Sequence, residues 1–309
     1  MSTQTSARGN GASAPTLGAY LHEPPLVRVQ HASPQDLIRA SGSPSGLQCW
    51  LAGTGTPAVL DGRMGPATII RAGDDLIMVD AGNGCAYQLL KLGMHVHELT
   101  HIFITHHHLD HNVDLGFLLI APWIHGTARK PPLVVGPPGT AEYLNRIFAA
   151  HDYDVRSRLP HGYDPGALAV SVLEVEDGLV LDFGRWTVEA VEVDHHPVDQ
   201  AFGYAFQSGL RKLVVSGDTR RCPRLIEAAK DADVLVHEVL FPGWGIPEYH
   251  TSVHEVGGIA AAANVDRLVL THLIPGHLPD SDWTKIVRSD FRGDLVVGRD
   301  LLEVCNLGQ

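Results

Sequence analysis

Seven consecutive residues, Thr105-His106-His107-His108-Leu109-Asp110-His111, carry four histidines and a carboxylate directly after the largely apolar run 99–104. In an extended segment, residues two apart point to one face, so His106 and His108 can grip one metal ion. Asp110 and His111 lie a little further on and can face a second ion beside it. Borderline cations such as zinc accept imidazole and carboxylate in this way. A bound dipositive ion lowers the pKa of water towards neutrality, so the chemistry this cluster implies is hydrolysis by a metal-bound hydroxide. His107 alternates to the opposite face and is expected to pack or support rather than bind.

Two half-sites need more ligands, and the chain offers them where strands should end. Asp194-His195-His196-Pro197 follows the expected strand 186–193, Ser216-Gly217-Asp218-Thr219 follows 212–215, and Thr271-His272-Leu273 follows 268–270. Strand ends release side chains from a rigid sheet, where functional groups collect. Asp218 has two oxygens and can bridge two metals. His195 and His196 compete for one position.

The elements that must position these groups alternate along the chain. Strands are expected at 47–52, 68–71, 76–80, 102–105 and 133–135, with helices at 86–92 and 139–149. The second half repeats the pattern. Strands are expected at 170–175, 186–193, 201–206, 212–215, 234–236 and 268–270, with 295–297 and 302–304 closing, and helices at 223–230 and 253–263. Each half is strand-rich, with helices to cover one face. Two such halves packed sheet to sheet make a four-layer αββα sandwich, although periodicity alone supports only an α/β or α+β class. Residues 1–46 read as a partly flexible N-terminal extension. A short helix is expected at 34–40, capped by Ser33 with Pro34 in its first turn. The compact domain is expected at 47–309.

The 309 residues are 44% hydrophobic and 19% charged, an ordinary globular composition. The formal net charge of −12 opposes long-range attraction to nucleic acid. Cys49, Cys85, Cys222 and Cys305 stand far apart with no CxxC pair, which disfavours a disulfide framework and favours a cytoplasmic setting. No run approaches the roughly 18–20 apolar residues of a membrane span, and the polar start has no apolar signal-peptide core.

Taken in order, the motifs resemble those of the metallo-β-lactamase superfamily, and within it the ribonuclease Z and arylsulfatase-like branch. The resemblance covers about residues 47–302. It rests on Gly53-Thr54-Gly55-Thr56-Pro57, Val79-Asp80-Ala81-Gly82, the 105–111 cluster, Ser216–Thr219, Val236-His237-Glu238-Val239, His250-Thr251-Ser252 and Thr271-His272-Leu273. It implies the α+β, four-layer αββα fold and two divalent metal ions, zinc first, with manganese or iron as alternatives. One ion would be held by His106, His108, His195 and Asp218, the other by Asp110, His111, Asp218 and His272. His195 is preferred to His196 because Asp-His-x-Pro-Val leading to Gly203-Tyr204 resembles the branch pattern. Asp80 would fix the histidine loop by hydrogen bonds to the ligands. The catalytic candidates are Asp110 and His250, with Glu238 or His237 orienting His250 as proton donor to the leaving oxygen.

Fold does not specify substrate. Ribonuclease Z proteins that process tRNA usually carry a long basic arm between the third-motif histidine and the bridging aspartate, whereas here only residues 196–217 separate His195 from Asp218. With the negative net charge, this favours a small-molecule ester, sulfate ester or phosphodiester as substrate and disfavours nucleic acid. The alternatives are a ribonuclease Z-like tRNA 3′-end endonuclease, an iron-dependent sulfur dioxygenase, and a non-catalytic binding protein of the same fold. No membrane association is expected, and a homodimer is compatible with the sequence.

Overall fold

The computed structural model describes residues 23–37, 42–59, 62–126, 130–240, 248–273 and 280–308. In its first half, β1 (Gln30–His31), β2 (Leu47–Gly53), β3 (Ala67–Ala72) and β4 (Asp75–Val79) lead to helix α1 (Cys85–Lys91). Strand β5 (Leu99–Phe103) follows, then α2 (Leu109–Asn112), α3 (Leu115–Ile124), β6 (Leu133–Gly136), α4 (Thr140–Ala150), α5 (Asp152–Arg158) and β7 (Ser171–Glu174). The second half runs β8 (Val180–Asp182), β9 (Thr187–Val193), β10 (Ala201–Ser208), β11 (Arg211–Val215), α6 (Pro223–Ala228) and β12 (Val234–Glu238). It closes with α7 (Val253–Ala262), β13 (Arg267–Thr271), α8 (Asp280–Val287), β14 (Asp294–Val297) and β15 (Leu302–Leu307).

The strands form two sheets, ordered β1-β7-β6-β5-β4-β3-β2-β15 and β14-β13-β12-β11-β10-β9-β8. Strand alternation sorts the apolar residues into three packed zones. Ile77, Val79, Phe103 and Val135 of the first sheet meet Tyr204, Phe206, Val215 and Val236 of the second. Their neighbours Met78, Ile102 and Val134 face outward onto Leu115, Leu144 and Phe148 of the first helical layer. Val191, Val214 and Leu235 likewise pack on Leu225, Val256 and Ile259 of the second. The result is the four-layer α+β sandwich. Among the described residues, no helix is long and apolar enough to cross a membrane.

Some elements differ from their sequence expectation. The short helix expected at 34–40 is a single 3₁₀ turn at Pro34–Leu37, closed by Ser33 N–H and hydroxyl bonds to Asp36 at 2.8 and 2.7 Å. Its remaining residues lie outside those described. Helix α3 is apolar on nearly every side and contains Pro122, so neither a helical nor a strand period marks it. Strand β8 is only three residues long. Within the segment expected as an extension, Gln30–His31 pair in parallel with Ser171–Val172, and Val27 is buried in the first helical interface.

Strands β4 and β5 are parallel. Strands β9, β11, β12 and β13 also share one direction, because β10 is antiparallel to both β9 and β11. Their C-terminal ends therefore gather at one edge of the sandwich. There the Phe202 N–H donates to the Thr105 carbonyl at 2.9 Å, and the Tyr204 hydroxyl donates to the Ile104 carbonyl at 2.8 Å, tying the two sheets together.

Candidate metal centre

That edge is where the chemistry-bearing residues meet. Asp80 follows β4, His106 follows β5, His195 follows β9, Asp218 follows β11, Glu238 ends β12 and His272 follows β13. Asp110 and His111 sit on α2, the short helix that turns the cluster back over the strand ends.

Asp218 lies at the centre. Its Oδ2 is 3.3 Å from Nε2 of both His111 and His272, 3.9 Å from His106 Nε2, and 4.0 Å from His195 Nε2. Asp110 Oδ2 lies 3.5 Å from Nε2 of both His111 and His272. Donor atoms of His106, His108, His195 and Asp218 all fall within 4.8 Å of one another, as do those of Asp110, His111 and His272. His250 also approaches Asp218 and His272 within that limit. Nε2 of His106, His111 and His272, and Oδ2 of Asp110, are buried without hydrogen-bond partners. Buried polar atoms are normally paired, and so many orphaned lone pairs converging on one point suit a cation. The imidazole and carboxylate donor set fits divalent ions such as zinc.

Electrostatics follow from this crowding. Burial alone would raise the Asp218 carboxyl, but His272, His111 and His106 outweigh it and hold the group well below the usual carboxylate range. Burial, reinforced by His111, pushes His106 well below the ordinary imidazole value. Burial also lowers His195 and His108. His111 moves the other way: Asp218 and Asp80 overcome its burial and raise it well above that value.

Asp80 holds the loop in place. Its Oδ1 accepts the Thr105 N–H at 2.8 Å, Thr105 Oγ1 lies 2.9–3.0 Å from both carboxylate oxygens, and His111 Nδ1 lies 2.8 Å from Oδ2. A proton on Nδ1 of His111 directs the Nε2 lone pair towards Asp110 and Asp218. Asp80 adopts φ 62°, a left-handed conformation that aspartate tolerates better than most residues.

The competing histidines separate plainly. His195 is buried, with Nδ1 2.9 Å from the Tyr249 carbonyl. His196 is exposed and outside the cluster. His107 is half-buried behind the loop, with Nε2 3.2 Å from the Thr140 hydroxyl. His250 Nδ1 lies 3.1 Å from Glu238 Oε1, which also accepts the N–H groups of Thr219 and Thr251 at 3.1 and 3.0 Å. Burial opposes a proton on His250, and Glu238 outweighs it, raising His250 above its ordinary value.

His237 does not make that contact. Its Nδ1 lies 2.6 Å from the Glu238 carbonyl, and strand alternation puts it on the face of Leu235, towards the helices. The expectation that either residue could orient His250 narrows to Glu238. Three threonines beside the site escaped the sequence reading: Thr105, Thr219 and Thr251. Each adjoins a histidine or aspartate of the cluster, which is the signal that could have marked them. The Tyr249 carbonyl is a main-chain acceptor and leaves no sequence signal. The aromatic tract before His250, residues 241–249, could also line a pocket by its composition, but its residues 241–247, Trp244 among them, lie outside those described.

Comparison with known proteins places this arrangement. A profile of the β-lactamase superfamily domain matches residues 76–273, a span holding every residue of the cluster. Ribonuclease Z of Mycobacterium marinum is 34% identical over 273 residues, covering 84% of this chain and 98% of the relative. Ribonuclease Z of Mycobacterium sp. strain KMS is 35% identical over 272 residues, 84% and 95% of the two chains. The chain belongs to the metallo-β-lactamase superfamily, in its ribonuclease Z branch. Solved structures share the fold. The metallo-β-lactamase fold protein YhfI from Bacillus subtilis superposes with TM-score 0.68 at 18% identity, over 83% of this chain and 98% of that one. Human tRNase Z, short form, superposes with TM-score 0.63 at 20% identity, over 84% and 99%.

Membership of the ribonuclease Z branch makes the chain a metal-dependent hydrolase. It also overturns one expectation. Nucleic acid was disfavoured as partner and a small molecule preferred, yet the curated relatives matched nearly end to end are ribonucleases. The grounds were physically too coarse. Net charge sums over the whole surface, whereas phosphate contacts depend on local charge. A short 196–217 segment removes one place for a basic arm and says nothing of other surfaces.

Proposed function

We propose that this chain is a ribonuclease Z-type endonuclease that hydrolyses a phosphodiester at the 3′ end of precursor tRNA. The observation that carries the reading is the 34% identity along 98% of a ribonuclease Z, with all the clustered donors inside the matched span. His106, His108, His195 and Asp218 would hold one divalent ion, and Asp110, His111, Asp218 and His272 the other, zinc being the ion best suited to the set. Such ions, when bound, polarise the phosphate and acidify water.

The chain's own residues do the rest. Asp218 joins the two ligand groups and brings negative charge to a site dense in imidazoles. Asp80 fixes the His111 ring through Nδ1, so Nε2 is the nitrogen left to face a cation once its proton is displaced. Glu238 favours a proton on His250 by raising it above the ordinary imidazole value, and His250 would deliver that proton to the leaving oxygen. Glu238 itself is held by two main-chain N–H groups, so it meets His250 in one position.

The test is cleavage of precursor tRNA with a 3′ trailer by the zinc-loaded protein, beside His250→Ala. Release of the trailer by the wild type, with loss in the variant, is expected. Intact precursor under conditions where the same preparation hydrolyses a simple phosphodiester would overturn the substrate, though not the site.

A further inference from the structure

The four cysteines are buried free thiols, but their surroundings differ. Cys85 Sγ approaches Asp114 at 3.8 Å, and Cys222 Sγ approaches the Glu192 carbonyl at 3.9 Å. Cys49 and Cys305, near opposite ends of the sequence, stand directly across from each other on the antiparallel strands β2 and β15. Both belong to the core between the sheets, with exposures of 0% and 6%. Directly opposed residues on such strands have Cα atoms about 4.5–5.5 Å apart, inside the roughly 4.4–6.8 Å window for a disulfide. The pairing register shifts between Glu303 and Cys305, and a bulge gives the backbone latitude to bring side chains together. Burial first, and then Cys305, raise the Cys49 thiol well above its ordinary value, so Cys49 is suited to the second, resolving step and not to the first attack. Strand β15 is the edge of its sheet, so solvent reaches Cys305 before Cys49.

We propose that Cys49 and Cys305 form an oxidisable dithiol, a modification site at which a hydroperoxide converts the pair to a cross-strand disulfide. The Cys305 thiolate attacks a peroxide oxygen. The O–O bond breaks, and Cys305 becomes a sulfenic acid while water, or an alcohol, leaves. The Cys49 sulfur then attacks the sulfenic sulfur. The S–O bond breaks, the S–S bond forms, and a second water leaves with the Cys49 proton. Two electrons pass from the two sulfurs to the peroxide bond, so no other reductant is needed.

The cross-link would fasten the scaffold behind the metal centre without touching a donor. Just before β15, Asp300 accepts the Thr54 N–H and hydroxyl, the Met64 N–H and Gln88 Nε2. The Thr54 carbonyl in turn accepts the N–H of Leu273, the residue after His272, at 2.7 Å. Closing β15 onto β2 therefore secures the loop that seats His272. It also shortens the unfolded ensemble across most of the chain, where loop-closure arguments give a large effect.

The test treats the full-length, metal-loaded protein with a small excess of hydrogen peroxide, alkylates it without reduction and maps its peptides. The expected product joins the Cys49 and Cys305 peptides, about 2 Da lighter than the two thiols together. Its thermal midpoint rises by roughly 5 °C or more and falls back on reduction. In Cys49→Ser the same treatment carries Cys305 on to sulfinic acid, a gain of about 32 Da, because no second sulfur intercepts the sulfenic acid. The proposal is overturned if wild-type Cys305 over-oxidises while Cys49 stays alkylatable. It is equally overturned if neither thiol reacts at peroxide levels that join them in the unfolded chain. The wild-type map needs no variant, so a folding defect in Cys49→Ser would not obscure the result.

Discussion

Asp80→Asn isolates the support of the metal centre from the ligands themselves. Asparagine keeps the shape and tolerates the left-handed backbone at φ 62°, so strain is not the cause of any change. The aspartate uses both oxygens as acceptors, Oδ1 for the Thr105 N–H and Oδ2 for His111 Nδ1. Asparagine has one acceptor oxygen, so one of these donors must face an amide NH₂ in either flip. If that donor is His111, its proton moves to Nε2, where it blocks the lone pair aimed at the cluster. A hydrogen bond to a charged group is worth about 1.5–3 kcal/mol net. Loss of such a partner behind a metal ligand typically costs about 10–100-fold in metal affinity, or roughly 1.4–2.7 kcal/mol. The two routes agree. Competition titration against a chromogenic zinc chelator should therefore show the zinc held with His111 weakened by about 10–100-fold, with folded secondary structure unchanged by circular dichroism. An Asp80→Asn protein that binds zinc with wild-type affinity and stoichiometry would refute the argument that the His111–Asp80 bond sets the ligand.

Other outcomes follow from the same geometry. His250→Ala should lower turnover by about 10²–10⁴-fold with little change in zinc content, whereas loss of zinc would mark His250 as a ligand. Because Glu238 raises His250, the protonated donor is present below that raised value and lost as pH rises through it. Glu238→Gln should therefore move the alkaline limb of the pH–rate profile to lower pH; an unmoved limb would remove His250 as the acid. His111 is raised above its ordinary value by Asp218 and Asp80, so zinc uptake must displace its proton. Affinity should fall as pH falls through that raised value, with proton release visible by calorimetry in two buffers of different ionisation enthalpy. His195→Ala should deplete bound zinc and His196→Ala should not, as measured by elemental analysis.

The fold is legible in the sequence where the signal is local. The buried strand before Thr105 and the two-residue spacing of His106 and His108 announce a ligand pair from chemistry alone. Apolar runs punctuated by Gly and Asp mark most strands, because central strands such as β4, β6 and β12 are buried on both faces and read as continuous apolar segments. Helix α3 was not legible, since a helix that is apolar all round has no face to detect. The orienting role divided between His237 and Glu238 was also open, because neighbouring residues on a strand point to opposite faces and the sequence does not say which face holds the site.

By itself, then, the sequence determined the donor types, the strand-end positions that carry them and the superfamily they resemble, since these depend on short-range spacing. The tertiary structure decided what depends on strand order. It converged Asp80, His111, Asp218 and His272 from four strand–loop junctions onto one point. It buried His195 within the cluster, left His196 exposed outside it, and set His250 against Glu238. It also set Cys49 opposite Cys305, because β15 returns from the far end of the chain to pair with β2. Contacts between residues far apart in sequence arise only when the sheets close, and no local pattern encodes them.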